Sequence, residues 1–107
     1  MKHRWFVAAI LGALLSGCGT HGYRIDGNDL TLILRKPQAQ SVVLVSSLDG
    51  FSPRPAKNVA GCWEVTLPAG KAFKYFYRVD GVVFLPDCPL RENDDFGDET
   101  CIFDPLL

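Results

Sequence analysis

The sequence predicts an all-β fold, a β-sandwich of about six to seven short antiparallel strands. Three observations carry that expectation. Phe73, Tyr75, Tyr77 and Val79 recur at every second position, which places four side chains on one face of a strand. Leu30, Leu32 and Leu34 repeat that period, as do Trp63, Val65 and Leu67. Beyond the leader no segment shows a 3.6-residue period, and turn residues recur at roughly 8–12-residue spacing, the signature of a sandwich.

In chain order, residues 1–17 read as a signal peptide. Lys2, His3 and Arg4 precede an apolar run from Trp5 to Leu15, and the small residues Ser16 and Gly17 follow. The run is too short for a membrane span, which needs ~20 residues. Leu15-Ser16-Gly17-Cys18 resembles the bacterial lipobox. That resemblance implies that Cys18 carries palmitate-type acyl chains and becomes the new N-terminus. Gly19 at the next position implies outer-membrane sorting, with the domain facing the periplasm. The plainer reading is an ordinary signal peptide that contains a cysteine. Residues 18–28 read as the lipidated cysteine and a flexible tether, rich in glycine and polar side chains; alternatively Tyr23 and Ile25 add a short first strand.

The domain proper is expected over residues 29–107. Leu30–Leu34 is the first clear strand, ended near Pro37. Ser41–Leu48 is the second, with Val42, Leu44 and Leu48 on one face. Residues 49–55 form a loop that holds Phe51, and residues 57–61 form a turn. Cys62–Leu67 is the third strand, with Glu64 and Thr66 outward. Pro68-Ala69-Gly70 turns the chain into Phe73–Val79. Asp80-Gly81 lies between two runs of β-formers, the strongest short-range hairpin signal, and Val82–Leu85 returns. Residues 86–100 form an acidic loop, and Cys101–Phe103 a short last strand.

Charge and cysteine content narrow the function classes. Removing Lys2 and Arg4 with the leader leaves 9 basic against 12 acidic residues, net −3, without the basic stripe a nucleic-acid partner requires. The six carboxylates between Asp87 and Glu99 match no EF-hand spacing; they read as a solvated loop, and no metal or other cofactor is expected. One histidine, His21, remains after cleavage. No nucleophile elbow or phosphate loop is present, so the chain is not expected to be an enzyme. Three cysteines remain in the domain, where export lets a disulfide persist. Cys88 and Cys101 bracket the acidic loop and are expected to pair, leaving Cys62 free; pairings that use Cys62 stay open.

The order of motifs resembles family 48 carbohydrate-binding modules, the type found in the glycogen-binding domain of AMP-activated protein kinase β subunits. Ser41 to Phe51 resembles the family's "V-x-L-x-G-x-F-N-x-W" segment, and Trp63 to Gly70 its "W-x-V-x-L-x-x-G". Phe73 to Gly81 resembles "Y-x-Y-x-F-x-V-D-G", and Phe96-Gly97 through Ile102 the closing motif. The resemblance spans Leu30 to Phe103 and implies an immunoglobulin-like β-sandwich that binds α-glucan without catalysis. It places Phe51 at the first ring-stacking position and Val83 at the second, or Phe84 if the return strand shifts by one. Phe76 stands at the family's lysine position and Cys101 at its asparagine position. Phe51, Phe76, Val83 and Phe84 are thus the expected carbohydrate-binding set. Two function classes follow: an α-glucan-binding module anchored to the bilayer through Cys18, and an anchored module on the same scaffold that binds a protein partner.

Overall fold

The computed structural model describes residues 20–93 and 98–106. The expected signal peptide, Cys18 and the Phe96-Gly97 motif lie outside the described residues. Within them the chain is a β-sandwich of ten strands in two antiparallel sheets. The first sheet has the order β1 (His21–Asp26), β2 (Asp29–Arg35), β6 (Cys62–Pro68), β5 (Lys57–Val59). The second runs β4 (Pro53–Pro55), β3 (Val42–Ser46), β7 (Phe73–Val79), β10 (Glu99–Phe103), β9 (Arg91–Asn93), with β8 (Val82–Phe84) paired to β7.

The period-two residues form the core. Leu30, Leu32 and Leu34 of β2 and Trp63, Val65 and Leu67 of β6 are buried with Val42 and Leu44 of β3 and Phe73, Tyr75 and Tyr77 of β7. Each buried ring removes roughly 150–250 Å² from water. The polar tips find partners where they can: Trp63 Nε1 donates to the Lys36 carbonyl at 2.9 Å, and the Tyr77 hydroxyl lies 3.3 Å from His21 Nε2. On the outer face of the first sheet, Thr31 and Thr66 stand opposite one another with their hydroxyls 3.1 Å apart.

The hairpin at Asp80-Gly81 forms as expected. Val79 pairs with Val82, so the loop has two residues, and both take positive φ, 51° at Asp80 and 83° at Gly81. That is the type I′ geometry, whose twist matches the flanking strands. The Asp80 carboxylate also accepts from the Gln40 and Ser41 amides at 2.9 and 2.8 Å, tying the turn to the start of β3.

Several expectations are corrected. The stretch read as a tether carries β1, the alternative strand through Tyr23 and Ile25, which runs antiparallel to β2 through the two-residue turn Gly27-Asn28. The second strand stops at Ser46, and Leu48 sits in a 3-10 turn over Ser47–Asp49. The Phe51 loop and the turn after it each hold a three-residue strand, β4 and β5. The acidic loop holds a third, β9, which pairs with β10. These extra pieces raise the strand count above the expected six or seven without changing the architecture.

Candidate functional site

Cys88 and Cys101 form a disulfide, as their places around the acidic loop led one to expect. It pins the passage from β8 to β9 onto β10. Cys62 is also disulfide-bonded, which corrects the expectation of a free thiol. Cys62 pairs with Arg35 on the outward register of β6 and is only partly covered, so its sulfur is within reach of a partner. The chain holds four cysteines, and Cys88 and Cys101 take each other. Within one chain the remaining thiol is that of Cys18, outside the described residues.

The expected ring set does not gather on one surface. Directly opposite residues of an antiparallel pair share a face. Phe84 pairs with Tyr77 and therefore points to the core side, where it packs half-buried against the cluster. Lys36 Nζ lies over its ring at 3.9 Å from the centroid, a cation–π contact that occupies the exposed side. Val83 pairs with Arg78, on the opposite face, which it shares with the half-buried Phe76. Val83 is 63 % exposed but offers no ring. Phe51 is 46 % exposed, with φ 65°, an outlier for a bulky residue; its amide donates to the Ser46 carbonyl at 2.8 Å. The two-residue turn alone contained the correction for Phe84: pairing 79 with 82 forces 77 opposite 84.

A different group of rings does come together. β1 lies along the edge of its sheet and turns His21, Tyr23 and Ile25 to the same side as Leu34, Leu32 and Leu30. Tyr23 meets Phe103 of β10 edge-on at 5.2 Å between centroids. His21 stacks obliquely on Tyr75 at 5.8 Å and edge-on to Tyr77 at 5.7 Å. Between the two sheet edges lies a cleft of about 440 Å³, floored by Leu32 and Tyr75 and walled by Tyr23, Leu90 and Phe103. Asp87 and Asp104 supply its carboxylates, and among the described residues no lysine or arginine lines it. Sequence reading missed this site because it preferred a tether over the alternative strand through Tyr23 and Ile25; the alternation of His21, Tyr23 and Ile25 is the signal for that strand.

Burial holds the His21 imidazole below its ordinary pKa, while Asp87 pulls the other way. Burial pushes the Tyr75 phenol up to about 12 and Tyr77 further in the same direction, with Tyr75 adding to the effect. All three rings are therefore uncharged at neutral pH, and the cleft's formal charge comes from its carboxylates. Among the described residues no group of three or more histidine, cysteine, aspartate or glutamate side chains is arranged to hold a metal ion, and no helix is long and apolar enough to cross a membrane. No protein-family model and no curated protein matches this chain.

Proposed function

We propose that this chain is an exported, non-catalytic binding module, held on a bacterial membrane through acylated Cys18, that takes a protein partner in the cleft beneath β1. The carrying observation is where the rings go. Phe84 is turned to the core and capped by Lys36, whereas Tyr23, Tyr75, His21 and Phe103 converge on one open cleft. Aromatic residues in a concave, partly exposed site favour recognition of an apolar anchor. Export is supported by the Cys88–Cys101 disulfide, which persists in an oxidising compartment. The test is a photo-crosslinking amino acid placed at Tyr23 and, separately, at Val83, in the native cell. A discrete adduct from position 23 and none from position 83 is expected; the reverse pattern moves the site to the outer face of the second sheet.

The α-glucan reading, in which the expected family is the right one, keeps one specific support. Phe51 holds an exposed ring on a backbone that costs roughly 1–2 kcal/mol for a side chain of its size, and such strain concentrates at functional positions. Stacking without the hydrogen-bonding lysine and asparagine forgoes bonds worth up to ~1.5–3 kcal/mol each, so binding would be weak. In gels cast with glycogen, this reading expects slight retardation that Phe51→Ala removes. Equal migration of the two proteins leaves the protein-binding reading alone.

A further inference from the structure

The two sheets are of unequal width. The first ends at β1, while the second continues past β10 to β9. Tyr23 on Phe103 places β1 over β10, so β9 extends beyond the edge of the first sheet, and all three of its residues are exposed. The place beside β1 and above β9 holds no described strand.

β1 is equipped to be paired there. Arg35 donates to the Thr20 carbonyl, which makes 20 and 35 a hydrogen-bonded pair. By alternation 22, 24 and 26 face β2, and the peptide groups of His21, Tyr23 and Ile25 point out from the sheet. The same three residues send their side chains to the inner side of the sheet, where His21 and Tyr23 line the cleft. Tyr23 is 58 % and Ile25 50 % exposed.

Natural sheets blunt their edges with short strands, prolines, bulges or charges. The other edge strands here follow that rule. β4 is Pro53-Arg54-Pro55, and β5, β8 and β9 each have three residues. β1 has six residues without proline, regularly paired along its whole length. Its charges, Arg24 and Asp26, pair with each other at 3.2 Å on the register opposite to His21, Tyr23 and Ile25, so β1 is the one long edge without proline among the described strands.

We infer that β1 receives an extended segment of a partner polypeptide as an added strand, with apolar side chains entering the cleft and a lysine or arginine meeting Asp87 and Asp104. The inference rests on the cleft being the binding site and names its mode of recognition. Main-chain bonds supply affinity in such strand addition, and pockets for alternate side chains supply specificity. The charge of the partner follows from the described lining residues, which include two carboxylates and no lysine or arginine. Arg91 stands 3.9 Å from Asp87 and 3.6 Å from Glu99, so a partner cation shares Asp87 with it and meets Asp104 as the second carboxylate. A second copy of this chain fits poorly, because a copy paired through its own β1 would bring its β10 into the space that β9 occupies.

The test uses the full mature chain and a blocked octapeptide alternating valine and lysine. Saturable binding is expected, with slowed hydrogen exchange at the Tyr23 and Ile25 amides and affinity that falls as salt rises. A valine–glutamate peptide should bind roughly tenfold more weakly. Methylation of alternate peptide nitrogens should abolish binding. Ile25→Pro should do the same and leave the melting curve intact, because that amide faces away from β2. Ile25→Val should bind normally. Asp87→Asn with Asp104→Asn should weaken binding and flatten its salt dependence. If the methylated peptide binds as well as its parent, or the two amides gain no protection, strand addition is wrong. A position-23 crosslink alongside that result would keep the cleft as a binding site; its loss as well would remove both. Dimerisation of the free chain that Ile25→Pro abolishes would make the occupant a second copy and overturn the partner assignment.

Discussion

His21 shows how far a single side chain's environment departs from its place in the sequence. Expected in a tether, it is instead wedged against Tyr75 and Tyr77, with Nε2 near the Tyr77 hydroxyl. Desolvation keeps its folded pKa below the ordinary 6.5. The unfolded chain therefore takes up a proton first as pH falls. Stability is fully present above 6.5 and declines as pH drops through that value toward the folded pKa. The melting temperature should fall between about pH 7.5 and about pH 5.5, ahead of the carboxylates. His21→Gln should flatten that slope, which thermal melts across the range would show. An unchanged slope would mean that the imidazole is solvated in solution.

At the level of elements, the disulfide does work that apolar packing does not. Between β8 and β10 the described residues hold one strand, the three-residue β9, and Cys88 and Cys101 are buried beside it. A covalent loop of 13 residues' separation restricts the unfolded chain by about 3 kcal/mol in the entropy model. Cys88→Ala with Cys101→Ala should lower unfolding stability by roughly that amount in denaturant titration, with the larger loss of protection in β9 and β10. Elements with an inward face were legible in advance: Leu30, Leu32 and Leu34, or Phe73, Tyr75 and Tyr77, announce themselves because water rejects one side of the strand. β4, β5 and β9 were not. Pro53-Arg54-Pro55 and Lys57-Asn58-Val59 are held by backbone pairing to a neighbour, and backbone pairing leaves no mark in side-chain pattern. Of the candidate site, Phe51 was placed correctly in an exposed loop. Phe84 was misplaced because facing depends on register as well as residue type.

For the whole molecule, the fate of Cys18 decides how the domain is held. A sulfur joined to a diacylglyceryl group cannot also bond Cys62, whose disulfide leaves Cys18 as the remaining candidate within the chain. The two outcomes exclude each other and are separable. Acylation predicts palmitate incorporation that Cys18→Ser abolishes. A Cys18–Cys62 bridge predicts a linked peptide pair under non-reducing digestion and no label. In the latter case the proposed anchor is lost while the binding cleft is untouched.

Thr20 is already hydrogen-bonded to Arg35, which leaves Gly19 as the sole residue between Cys18 and the first paired position. A chain spans at most ~3.6 Å per residue. An acylated Cys18 would therefore hold the sheet within about 7 Å of its lipid attachment, inside the ~8 Å Debye length at physiological ionic strength. The module would be moored rather than leashed. His21 and the mouth of the cleft would lie in the ionic atmosphere of the headgroups, where an anionic surface gathers cations and protons. Any partner would then have to approach along the bilayer, and a basic one would already be concentrated there.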